Sequence, residues 1–233
     1  MKNKKNFLFA LIGAGTLVLS AGVGFAAWTI NAQNVEENQN ITVSADGTVN
    51  DNRISITSCT PQSGFNSIAF KAVKPNDSSI TSPWLTTDSD ATSESLTLKY
   101  DLKIKGVKGL TLNCSGSVKD TGTDDSKSQT GSFDQLKNEH IVGDPTVSAD
   151  NFSQGETEDA DSKVEYSTVI SVTFSWGSHF ERDGVAVNPY VYYNSLGYSD
   201  PRADDAKATI AKLNTIASYD KLQLHYSVSV NNK

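Results

Sequence analysis

Three stretches of the chain alternate apolar and polar side chains with a period of two. Leu96, Leu98, Tyr100, Leu102 and Ile104 form one apolar row. Val164, Tyr166, Thr168, Ile170, Val172 and Phe174 form a second, and Leu222, Leu224, Tyr226, Val228 and Val230 a third. Successive side chains of a strand point to opposite faces, so each row marks a strand with one dry and one wet face. Shorter strands are predicted over 41–45, 53–58, 67–73 and 110–118, with a weaker one over 187–193. Strands buried on one side need a second layer, and two sheets packed face to face provide it. The expected fold class is therefore mainly β, an antiparallel two-sheet β-sandwich of jelly-roll-like plan. A closed barrel is the alternative for strands of this length.

One helix interrupts the β pattern near the C-terminus. Asp200 suits its N-cap and Pro201 its first position, and Asp204 and Asp205 lie at the positive end of its dipole. Ile210, Leu213, Ile216 and Ala217 then recur at helical spacing. Residues 120–132 and 143–162 are polar, with little apolar surface to offset the entropy of ordering them. They are expected as solvated insertions within a single sandwich domain over 39–233.

The beginning of the chain is different in kind. Lys2, Lys4 and Lys5 precede an apolar, Gly-rich run from Phe7 to Phe25, followed by Ala26, Ala27 and Trp28. A basic start, an apolar centre and small residues near a cut describe a secretory signal peptide. Residues 1–26 are read as that signal helix, cut between Ala26 and Ala27, with 27–38 as a flexible N-terminal segment. Left uncut, the run from Phe7 to Trp28 is long enough to span a bilayer, and membrane attachment is expected only through it. Removing the first 26 residues takes away three lysines and no acid, so the net charge moves from −7 to −10. Such a balance repels nucleic acid and anionic surfaces, and neither is expected as a partner.

Candidate chemistry is sparse. Cys59 and Cys114 form an even pair, which in an oxidising compartment suggests one disulfide between neighbouring strands. His140, His179 and His225 lie far apart and match no metal-binding spacing, so no metal site is expected. Asp88, Asp90 and Glu94, or Asp120, Asp124 and Asp125, offer oxygen ligands of the kind calcium takes, without a complete EF-hand loop. The mature chain has no Gly-x-Ser-x-Gly elbow, and no catalytic residue or cofactor is assigned. Tyr190, Tyr192 and Tyr193 cluster after Pro189. Exposed aromatic rings stack on sugars and anchor protein contacts, but an aromatic core corner reads the same way in sequence.

The passage Gly22-Val23-Gly24-Phe25-Ala26-Ala27-Trp28-Thr29 resembles the ends of signals processed by SipW-type signal peptidases, whose substrates include the TasA and camelysin (CalY) group of Gram-positive exported proteins. The match covers about thirty residues. The strand Lys99-Tyr100-Asp101-Leu102-Lys103-Ile104 and the last strand are similar to core strands of that group in plan only. The group has a jelly-roll-like sandwich with long insertions and a late helix before a terminal strand; this chain departs from it in carrying two cysteines and in middle loops that show no motif of the group. The resemblance implies a secreted, non-enzymatic protein of the cell surface or biofilm matrix. It also implies self-association, or association with other matrix proteins, by donation of an N-terminal strand, with Trp28 and Ile30 as anchors. Camelysins are also classed as metallopeptidases, which keeps a peptidase as one alternative. An extracellular carbohydrate- or protein-binding module using the tyrosines is the other.

Overall fold

The computed structural model describes residues 41–62, 67, 68, 70, 95–122, 132–187, 189, 192, 208, 209, 211–213 and 220–231. The expected signal helix and the segment 27–38 lie outside them. Eleven strands are described: β1 (Ile41–Val49), β2 (Ile54–Pro61), β3 (Ser67–Ile68), β4 (Ser95–Val107), β5 (Leu112–Asp120), β6 (Thr146–Ala149), β7 (Ser153–Gln154), β8 (Lys163–Ser175), β9 (Glu181–Arg182), β10 (Val185–Ala186) and β11 (Leu222–Val230). A short helix, α1 (Phe133–Asn138), lies between β5 and β6.

Two sheets form the expected sandwich. One runs in the order β3-β1-β11-β5, the other β2-β4-β8-β6 with β7 also paired to β8. The three rows of alternating residues supply the seam. Leu98, Tyr100, Leu102 and Ile104 of β4, six inward residues of β8 from Val164 to Phe174, and Leu222, Leu224, Tyr226 and Val228 of β11 are all buried. Each fully buried large apolar side chain contributes about 1.5–3 kcal/mol relative to exposure, so these rows hold the sheets together. Thr168 is the polar member of its row. Its hydroxyl donates to the Asp150 carbonyl at 2.7 Å, which meets the cost of burying it.

Among the described strands the pairing is antiparallel except at one place. β1 runs parallel to β11, with Val43 opposite Leu222 and Val49 opposite Val228. Alternation assigns a face to each residue but no partner strand, so nothing in the pattern of the chain announces this pairing. Deep in the seam, the Tyr100 hydroxyl donates to the Val43 carbonyl at 3.0 Å and ties β4 of one sheet to β1 of the other.

Several expectations are corrected. Residues 143–162 are not a solvated insertion throughout: β6 and β7 both pair with β8, and Val147 and Ala149 pack against the core. Two half-buried residues in a four-residue strand are too short a signal to outweigh the polar residues around them. Of the weak strand over 187–193, Pro189 and Tyr192 are helical instead. The C-terminal helix is present at residues 208, 209 and 211–213, where Leu213 is buried, while Ile210, Ile216 and Ala217 lie outside the described residues.

The helix α1 is an addition to the expected elements, although its start is written in the chain. Ser132 is its N-cap, and the Ser132 hydroxyl accepts from the Gln135 N–H at 3.1 Å. Ser-x-x-Gln is the capping-box spacing, followed here by Phe133 and Leu136, both buried. Replacing Ser132 with alanine removes that acceptor and is expected to lower stability by about 1 kcal/mol, read as the midpoint of urea unfolding.

Candidate assembly surface: the sheet edges and the first strand

A two-sheet sandwich that does not close leaves strands with unpaired backbone at its margins, and these are its reactive features. The four margins differ sharply. β3 is two residues long and covers only Ile41 and Thr42, so residues 43–49 of β1 have no strand on the side away from β11 among the described residues. The β6 and β7 margin is broken into pieces of four and two residues. β2 has eight residues, but its register slips between Ile56 and Ser58 and it ends at Pro61. Bulges and prolines are the usual devices that blunt an edge. β5 has nine residues in unbroken register with β11, from Leu112 opposite Val230 to Asp120 opposite Leu222.

The bulge in β2 also re-aims a side chain. Continuing the phase of Ile54 and Ile56 would turn Cys59 to the outer face. With one residue inserted, Cys59 instead sits opposite the inward residue Leu102. There it packs half-buried against the core and hydrogen-bonds the Tyr226 side chain. Cys114 lies on β5 opposite Val228, also half-buried against the core. The two thiols thus stand on facing sheets, not on neighbouring strands as expected, and no disulfide joins them in this structure. Burial pushes both thiols up, Cys114 to about 11 with a smaller contribution from Cys59. Burial likewise raises the Tyr226 phenol above its usual range.

Among the described side chains of β1, one is fully buried. Val43 is its anchor, 0 % exposed beneath the Tyr100 hydroxyl, while Ala45 and Val49 are exposed. Gly47 lies under the ring of Tyr226 from β11. On the outer face Asp46 approaches His225 Nδ1 at 3.7 Å. The chain leaves β1 through a turn fixed by Asp51, whose carboxylate accepts from the Arg53 guanidinium at 2.6 Å and from the Arg53 N–H at 2.8 Å. That side-chain bond, with the backbone bond behind it, holds the Asp51 carboxyl down to about 2.

The remaining sequence candidates are placed as follows. Ala26, Ala27, Trp28 and Ile30 lie outside the described residues, as do Tyr190 and Tyr193. Tyr192 is half-buried and packs edge-on against Phe180 with ring centroids 5.8 Å apart. Of the tyrosine cluster, this ring therefore serves a core corner. Of the calcium candidates, Asp120 anchors its own loop: its carboxylate accepts from the N–H of Gly122 at 2.9 Å and of Asp134 at 3.2 Å. Asp88, Asp90, Glu94, Asp124 and Asp125 lie outside the described residues. Among the described residues no group of three or more His, Cys, Asp and Glu converges as metal ligands would. Comparison with protein-family models, curated proteins and solved structures finds no match to this chain.

Proposed function

We propose that this protein is a secreted, non-enzymatic component of the cell surface or extracellular matrix that assembles through strand addition. The N-terminal segment of one copy would lie along a sheet margin of the next. The observation that carries this reading is that the described residues form an open sandwich, with a long margin unpaired among them and a strand, β1, that follows the N-terminal segment in sequence. An unpaired strand edge recognises one kind of partner, another extended segment, through main-chain hydrogen bonds. Trp28 and Ile30 alternate with polar residues ahead of β1 and would supply the apolar anchors. The resemblance of the leader to SipW-processed signals points the same way. A net negative charge keeps single copies soluble before they meet.

The test uses the exported chain, whose first residue is expected to be Ala27. Sedimentation of the full exported chain should show species that grow with concentration. Deleting 27–40, which leaves β1 whole, should give a single monomer at every concentration with an unchanged thermal midpoint. A full-length exported chain that stays monomeric up to millimolar concentration overturns the reading.

A further inference from the structure

We infer that the outer edge of β5 is the acceptor, and that it takes the segment around Trp28, Ile30 and Ala32 from a second copy of this chain. The inference rests on the assembly reading above and names the surface that reading requires.

The hydrogen-bond phase of β5 decides which groups are available. At one end the Thr121 N–H donates to the Lys221 carbonyl at 2.8 Å, and at the other the Asn231 N–H donates to the Thr111 carbonyl at 2.9 Å. Both pairs continue the β5–β11 register as directly opposed residues. In an antiparallel pair, bonded and non-bonded positions alternate. The odd-numbered residues of β5 therefore spend their N–H and C=O groups on β11. Leu112, Cys114, Gly116 and Val118 direct theirs away from the sheet. No hydrogen bond to those outward backbone groups is found among the described residues.

The side chains along this edge do little to shield it. Ser115 and Ser117 are small and exposed, and Gly116 has none. Beneath Gly116 sits Val147 of β6: a methyl group on Gly116 would meet its Cγ1 at 2.9 Å. Gly116 thus brings the edge backbone down onto an apolar residue of the facing sheet. An added strand would continue that contact, with alternate apolar residues turned inward. Charge guards only one end, at Lys119 and Asp120. Among the described residues β5 is the longest regular edge, nine residues against the seven of β1 from Val43 to Val49 that β3 leaves uncovered, while the other margins are short, bulged or proline-ended.

The occupant follows from the chain itself. Trp28, Ile30 and Ala32 alternate with Thr29, Asn31 and Gln33, the pattern of a half-buried strand. Thirteen residues precede Ile41 from Trp28, and extended they reach roughly 45 Å, more than the roughly 30 Å of a nine-residue strand. Within one copy, β11 lies between β1 and β5, and Ile41 pairs on its far side with Ile68. The leader therefore departs from the margin opposite its own acceptor, which favours a second copy.

Amide hydrogen exchange on the full exported chain, dilute and concentrated, tests the inference. In the monomer, the N–H groups of Cys114, Gly116 and Val118 should exchange freely while those of Asn113, Ser115 and Ser117 are protected. On assembly the first set should slow by at least about tenfold. The double variant Ser115→Lys, Ser117→Lys, which changes only outward side chains, should keep the thermal midpoint and lose assembly. Protection gained at β1, β2 or β3 instead, or a double variant that assembles like the parent, overturns the β5 assignment and leaves strand addition standing. Absence of any assembly overturns both.

Discussion

Replacing Phe174 with alanine is expected to destabilise the folded chain by about 4 kcal/mol. Phe174 closes the inward row of β8 and is 0 % exposed. Its ring meets Phe133 of α1 edge-on at 6.1 Å and Phe70 at 6.4 Å, and Phe70 in turn meets Trp176 at 5.3 Å. Truncation removes the buried ring and leaves a cavity bounded by other rings. Those are fixed by their own contacts and cannot collapse into it. Because Phe133 opens α1, the loss should also loosen the helix that Ser132 caps. The measurement is the urea midpoint together with the near-ultraviolet circular dichroism of the aromatic cluster. A change below about 1 kcal/mol would show that this end of the sandwich is not packed as described.

That aromatic end is legible in the chain only in part. The phase of Val172 and Phe174 places both in the seam, because strict alternation over a long strand has no other explanation than one-sided burial. Phe133 and Leu136 are hidden inside a polar stretch, and only the Ser132 to Gln135 spacing marks them. Tyr192 is ambiguous in principle, since a ring that stacks on a ligand and a ring that stacks on Phe180 obey the same composition. Cys59 shows a different limit. Its direction depends on a single extra residue in β2, and a bulge has no hydrophobic signature of its own.

The candidate assembly surface divides in the same way. Length and polarity along β5 can be read from the chain, and so can the alternation of Trp28, Ile30 and Ala32. Which backbone groups point outward cannot be read, because it depends on the partner strand and register that β11 imposes. The same non-local fact makes β1 parallel to β11. The first and last described strands are neighbours, so formation of this sheet requires closing nearly the whole domain. Contacts of such sequence separation form slowly, because the entropy of closing a long loop is lost before the pairing stabilises anything.

The seat of β1 can be probed at one residue. Gly47 has no side chain because the Tyr226 ring occupies the space a Cβ would take, with Cζ, Cε2 and the hydroxyl all in contact. An alanine in place of Gly47 would by itself favour the strand, by about 0.5–1 kcal/mol of backbone entropy. Against that, the ring has to leave a place where Tyr226 is only 5 % exposed, and it gives up its hydrogen bond to Cys59. Overpacking costs about 1–3 kcal/mol, and losing the buried hydrogen bond adds about 1 kcal/mol, so the steric term wins. Gly47→Ala is expected to destabilise the chain by about 2 kcal/mol net, read as the midpoint of urea unfolding. The coupling distinguishes a clash from a general weakness of β1. In a double-mutant cycle with Tyr226→Ala, the two losses should fall short of adding by at least about 1 kcal/mol, because once the ring is gone the new methyl group meets nothing. Strict additivity would mean that Tyr226 does not lie over Gly47, and that β1 is not seated on β11 in this register.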